Sequence, residues 1–198
     1  LDHLRNSSRA RVFCRQIITQ LIQAKEAKSI LEVGVGGLNE IISLDPMLQE
    51  NPSVRYAGTD WTPKFIQEAR DKFPGYLWQR LDITQCQIHD HLISDVVYSQ
   101  HVLEHCGGLN PALSNMLQFA DKLLLNIFFL PPVEEDIISY KTYPYYENRY
   151  GVAHIHHICN FHGSDSRLLH FDNRGLEGSM HCSDEIVLCA VKRGSGIS

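Results

Sequence analysis

The chain has 198 residues, a formal charge of −5 with neutral histidines, 43% hydrophobic and 21% charged residues. A chain of this length typically buries roughly 70% of its unfolded surface, which excludes a small disulfide-stapled scaffold and argues against a wholly disordered chain. No apolar run reaches the roughly 18–20 residues a membrane span needs, and the mildly acidic balance is not the footprint of a nucleic-acid binder.

In chain order, hydrophobic spacing predicts a helix over 9–28, with Phe13, Ile17, Leu21 and Ala24 on one face. Residues 29–33 follow as a short apolar strand running into glycines. A helix begins at Asn39 and is stopped by Asn51-Pro52. Residues 54–60 read as a second strand, and Thr62-Pro63 opens a helix to Lys72 with proline in its first turn. Strands are predicted over 76–81 and 94–99, then a helix over 111–121. Residues 123–129 are apolar except Asn126, the pattern of a buried central strand. Beyond Pro131-Pro132 the texture changes, and 131–163 is rich in Tyr and His and poor in periodicity. A helix over 164–172 and strands over 176–182 and 185–192 close the chain, the last two reading as an antiparallel hairpin. Alternating helices and strands define an α/β protein with a mainly parallel sheet, and one domain over 1–198 is expected.

The N-terminal segment is polar and carries Arg5, Arg9, Arg11 and Arg15, without the apolar core of a signal peptide. The start at Leu1 rather than Met points to residues trimmed upstream. Cysteines at 14, 86, 106, 159, 182 and 189 form no C-x-x-C pair and fit no zinc template. Reduced thiols in an intracellular, cytoplasmic protein are the expectation.

The most informative stretch is Leu31-Glu32-Val33-Gly34-Val35-Gly36-Gly37. A strand running into glycines and then a helix lets the backbone approach a ligand closely. Asp60 ends the second strand, 24 residues beyond Gly36, where an acid can accept both hydroxyls of a ribose. Asp82 ends the third strand, within reach of a base, and Asp95 opens the fourth. A pyrophosphate fingerprint would need glycine at 39, where Asn39 stands, and no P-loop lysine follows. Glu32, just before the first glycine, suits an ammonium-bearing ligand better than a phosphate. Ribose, adenine, an amine and no phosphate together describe S-adenosyl-L-methionine (SAM).

Four segments carry a family resemblance: the glycine turn 31–37, Ala57-Gly58-Thr59-Asp60, Leu81-Asp82-Ile83, and the run from Asp95 through Val102-Leu103-Glu104-His105. Over about 9–192 the chain resembles the class I SAM-dependent methyltransferases. The resemblance implies a Rossmann-like, doubly wound, seven-stranded and mainly parallel sheet with a C-terminal antiparallel hairpin. It also implies that Glu32, Gly34 and Gly36 hold the methionine moiety and that Asp60 binds the ribose, with Trp61 packed on the adenosine. Asp82 and Ile83 would flank the adenine, and Ser99, Gln100 and His101 would face the methionine end and the acceptor. The turn departs from many relatives at Leu38, where they have a further glycine.

Methyl transfer needs an aligned acceptor and excluded water, and a hydroxyl or amine acceptor must also lose a proton. His101, immediately after the fourth strand, is the candidate base. His105 reads more readily as a packing residue. The Tyr/His-rich insertion 131–163 is the expected substrate side, with Tyr143, Tyr146 and His157 as candidate contacts and Tyr140, Tyr145 and Tyr150 nearby. The run His154-Ile155-His156-His157 has no second ligand cluster to complete a metal site, and no metal is expected. The resulting expectation is a methyltransferase for a small-molecule acceptor, with no nucleic-acid partner. A non-catalytic module that kept the fold, motivated by Leu38, and a dinucleotide-dependent Rossmann-like enzyme stand as competing readings.

Overall fold

The structure is a computed structural model that describes residues 8–138, 147–174, 176 and 184–197. Helix α1 spans Arg9–Gln23 and begins at Ser8, whose hydroxyl accepts the Arg11 N–H and so satisfies one orphan donor of the first turn. Its buried stripe, Ala10, Cys14, Ile18 and Leu21, repeats at helical spacing. β1 (Ser29–Val33), α2 (Asn39–Glu50), β2 (Arg55–Asp60), α3 (Pro63–Lys72), β3 (Leu77–Arg80) and β4 (Ser94–Gln100) follow. A short 3-10 turn, Leu103–His105, leads to α4 (Leu109–Phe119) and β5 (Ala120–Phe128). The chain closes with α5 (Val152–Phe161), β6 (Ser164–Asp172) and β7 (Asp184–Lys192).

The strands form one seven-stranded sheet in the order β3-β2-β1-β4-β5-β7-β6. β1 to β5 pair in parallel, whereas β7 runs antiparallel to both β5 and β6. Side chains alternate across each strand and divide the core into two layers. Leu31, Val33, Val97 and Leu124 pack with α4 and α5 on one face. Ile30, Val96, Tyr98 and Leu125 pack with α1, α2 and α3 on the other. A bidentate pair ties α1 to α2 within the second layer: Arg15 Nε and Nη2 each lie 2.8 Å from a Glu40 oxygen. No helix among the described residues is long and apolar enough to cross a membrane.

The fold class read from the sequence holds, and the C-terminal hairpin is present with a different first strand. Residues 164–172 form β6 rather than a helix. The reason is a period of two: Leu168 packs into one core layer, while Leu169 and Phe171 pack into the other. Leu176 lies outside any strand, and the rest of the predicted strand 176–182 falls outside the described residues. The helix that crosses back to β6 is α5, inside the stretch that lacks obvious periodicity. Its signal is confined to Ile155, Ile158 and Cys159, the three buried positions of its inner face. Residues 24–28, expected to extend α1, lie outside it, with Lys25 at φ +62° just beyond the helix end.

Candidate cofactor-binding site

Parallel strands with crossovers on both faces open a crevice where the strand order reverses, outside the carboxyl ends of the strands. Here the reversal lies between β1 and β4, and a cavity of about 570 Å³ occupies that position. Its size falls within the roughly 300–1,000 Å³ typical of small-molecule sites. Its walls are the turns after β1 (Val33, Gly34, Gly36), β2 (Asp60, Trp61, Thr62, Phe65), β3 (Leu81 to Gln85) and β4 (Gln100, His101, Val102), closed by His105, Cys106 and Gly107.

The β1 turn takes its shape from three residues in the left-handed region: Gly34 at φ +81°, Gly36 at φ +44° and Leu38 at φ +63°. Gly34 and Val35 donate their N–H groups to the Thr59 carbonyl at 2.7 and 3.1 Å, which fastens the turn to β2. A Cβ at Gly34 would stand 2.3 Å from Val102 Cγ2, so glycine is required there on two counts. At Gly36 a Cβ would meet nothing closer than 4.0 Å; its small size leaves the turn open toward the cavity. Leu38 tolerates its strained backbone because its side chain is fully buried against α2.

Asp60 is nearly buried, and each of its oxygens takes a backbone N–H: Gly36 at 3.1 Å and Thr62 at 2.8 Å. An ionised carboxylate offers about four acceptor positions, so roughly two remain for a ligand's hydroxyls. Trp61 lines the same wall while 53% exposed, and Phe65 stands beside it. Asp82 binds the N–H and hydroxyl of Thr84 through Oδ1 at 2.9 and 2.7 Å. The Ile83 carbonyl accepts Asn115 Nδ2 at 2.7 Å, fixing the β3 turn against α4.

Glu32 lies behind the glycine turn rather than in the cavity wall. It is buried, its carboxyl accepts the Tyr56 hydroxyl, and burial pushes its pKa up to about 8. Ser99 is likewise buried, with its hydroxyl given to Asn126 Oδ1 at 2.6 Å. Both point into the core because alternate residues of β1 and β4 face the two helical layers. Gln100 and His101, one step further, emerge into the cavity. Asp95 stands at the opposite end of β4, where it accepts the Lys28 N–H and pairs with Lys122 at 3.0 Å.

His101 has φ +54° and directs Nε2 to Glu185 Oε1 at 2.9 Å. Glu185, on β7, is 1% exposed, and its other oxygen accepts Asn173 Nδ2 at 3.0 Å. Hydrogen bonds from His101, Ser8 and Asn173 outweigh burial and lower the Glu185 pKa, keeping it ionised. The Phe129 ring sits between the two cavity histidines, 5.2 Å from the rings of both His101 and His105. Glu104 holds that segment in place by accepting the Phe129 N–H at 2.6 Å. Sequence reasoning missed Phe65, Glu185 and Asn173. A glutamate within the otherwise apolar run 185–191 was the available signal for Glu185.

The other histidines of the insertion do not converge. His154 Nδ1 meets Asp136 Oδ2 at 2.7 Å, His156 Nδ1 meets Ser166 Oγ at 2.7 Å, and His157 is exposed on α5, outside the cavity wall. His154 and His156 stand about 200° apart around the helix and face different partners. Among the described residues no cluster of three or more potential ligands exists. Tyr150 is buried and donates to the Leu103 carbonyl at 2.9 Å. Tyr140, Tyr143, Tyr145 and Tyr146 lie outside the described residues.

No protein-family model matches the sequence, and no curated protein matches it. Solved structures do match the fold. Magnesium protoporphyrin IX methyltransferase from Synechocystis PCC 6803 with bound SAH superposes with a TM-score of 0.63 at 17% identity, over 92% of this chain and 83% of that one. The same enzyme with bound SAM gives 0.62 at 18%, over 92% and 79%. A putative SAM-dependent methyltransferase from Listeria monocytogenes gives 0.61 at 13%, over 84% and 90%. The chain has the class I SAM-dependent methyltransferase fold.

Proposed function

We propose that the chain is a SAM-dependent methyltransferase acting on a small-molecule acceptor. The observation that carries this reading is the Gly36–Asp60 unit at the switch point, opening on a cavity whose lining, among the described residues, contains no Lys or Arg. A dinucleotide brings a pyrophosphate and calls for positive or amide-rich surroundings, whereas SAM brings none. The walls fit SAM in parts: Asp60 for the ribose, Trp61 and Ile83 for the faces of the base, Asp82 for its edge, and the glycine turn with Gln100 for the methionine end. Glu32 supports that turn from behind through the β1–β2 contact rather than touching the ligand.

SAM, when bound, supplies an electrophilic methyl on a sulfonium. The protein's part is to hold an acceptor in line at about 3–3.5 Å and keep water out. His101, Val102, His105 and Cys106 bound the end of the cavity where the acceptor would lie. Residues of the insertion support that end, since Asn148 Nδ2 donates to the Cys106 carbonyl at 2.8 Å. Tyr143 and Tyr146 are proposed as acceptor contacts. His101 takes the acceptor's proton. The acidic and neutral lining suits a neutral or cationic acceptor.

The test is transfer of isotope-labelled methyl from SAM to a panel of neutral phenols, alcohols and amines. Labelled product that disappears in His101→Ala supports the reading. SAM binding without transfer to any member of the panel favours the non-catalytic module.

A further inference from the structure

Helix α1 carries a charge on its inner side. At about 100° per residue, Arg11 stands within about 20° of both Ile18 and Ile22, which are buried. Arg11 is itself half-buried. Its Nε is buried without a hydrogen-bond partner, and no carboxylate among the described residues pairs with it. An inward-facing guanidinium without an anion is costly, so its presence points to a ligand that supplies one. We propose that Arg11 provides the positive charge for the α-carboxylate of SAM, which makes α1 part of the cofactor site. The inference rests on the methyltransferase reading above and deepens it, by naming a residue that selects a nucleoside carrying an amino acid.

Two contacts fix where α1 passes the cavity. Ser8 hydrogen-bonds Glu185, the carboxylate that holds His101 of the cavity wall. About 10 Å further along the helix, Arg15 holds Glu40 in the first turn of α2, just beyond the glycine turn. Ser8, Arg11 and Arg15 fall within about 60° of one another around the helix, so Arg11 lies between these two anchors. Tyr98 of β4 is within range of its charge. Burial pushes the Tyr98 pKa well up, and Arg11 opposes that shift. The Tyr98 hydroxyl donates to Gln100 Oε1 at 3.3 Å, and Gln100 lines the cavity. Arg11 therefore stands behind Gln100, outside the wall itself, and acts through its field.

The charge balance of the site calls for such a group. The methionine end of SAM is a zwitterion, with an ammonium and a carboxylate. The described wall offers Asp60 and Asp82 but no Lys or Arg, so it suits the ammonium and repels the carboxylate. The acids around Arg11 do not cancel its charge. Glu40 is engaged by Arg15 in two hydrogen bonds of 2.8 Å. Burial raises the Glu32 pKa to about 8, so Glu32 is mostly neutral at pH 7. Glu185 accepts from His101, Ser8 and Asn173. Of the other two arginines of α1, Arg9 is exposed and Arg15 is paired.

The test is isothermal titration calorimetry with SAH and with its decarboxylated analogue, which keeps the adenosine, the thioether and the amine. Arg11→Met should bind SAH about tenfold more weakly than the wild-type protein, as expected for a unit charge removed from a partly buried site. It should bind the analogue no more weakly than the wild-type protein does, which also shows that the site is folded. Arg11→Lys should recover most of the SAH affinity. Where Arg11→Met does not fold, Arg11→Gln carries the same expectations. Unchanged SAH affinity, or an equal loss for both ligands, overturns the proposal. So does an Arg11→Lys protein that binds SAH no better than the uncharged variant, because the effect is then not one of charge. Failure of the wild-type protein to bind either SAM or SAH would instead overturn the methyltransferase reading.

Discussion

Gly36 donates its N–H to Asp60 Oδ2 across 3.1 Å, so the glycine turn and the acid 24 residues later form one hydrogen-bonded unit. The same carboxylate accepts Thr62 N–H at 2.8 Å, so it organises the turns after both β1 and β2. Asp60→Ala leaves two backbone donors without an acceptor. It should lower stability by about 1–3 kcal/mol, read from urea unfolding.

Glycines 34 and 36 should respond differently to alanine. At Gly34 the added methyl meets Val102 at 2.3 Å as well as a φ of +81°, so Gly34→Ala should lose several times more stability than Gly36→Ala. At Gly36 only the backbone penalty of about 1–2 kcal/mol applies. Thermal unfolding of the two variants side by side checks the ordering.

Leu38 stands where glycine would relieve a φ of +63°, yet its side chain is wholly buried. The relief is worth about 1–2 kcal/mol, and the lost packing about 2–5 kcal/mol. Leu38→Gly should therefore be less stable, by up to about 4 kcal/mol, measured by urea unfolding. Leu38 is outside the cavity wall, so SAM affinity should change little. The departure from the family pattern is thus a packing choice with no direct contact to the ligand.

Glu104 contributes a pH dependence of known sign. Burial raises its pKa from the usual 4.5 to about 8. Between those values the folded protein keeps a proton that the unfolded chain has shed, so stability falls as pH rises through that window. The slope from this group alone is up to ~1.4 kcal/mol per pH unit. Glu104→Gln carries no such proton. Relative to wild type, it should gain stability steadily from pH 5 to 8 in urea titrations.

The sequence placed β1 to β5 within a few residues because buried parallel strands are apolar runs bounded by glycine, proline and acids. The last third was harder to read for a physical reason. β6 is an edge strand, only partly buried, and Arg167, Leu168, Leu169 and His170 mimic a helical stretch by composition. α5 carries few buried positions among many histidines, which masks its period. In the site, Asp60, Trp61, Asp82, Ile83, Gln100 and His101 were legible because strand ends announce themselves. Glu32 and Ser99 sit in the same motifs, but the alternation of side chains turns them inward, which a motif does not record. Glu185 lies 84 residues from His101, a distance only the sheet order closes.

Isothermal titration calorimetry with SAM tests the central claim most directly, comparing the wild-type protein with Asp60→Asn. The account predicts one SAM per chain in the wild type. It also predicts at least tenfold weaker binding in the variant, a loss of about 1.4 kcal/mol or more. No detectable heat of binding at millimolar SAM, or equal affinity in the two proteins, would contradict it.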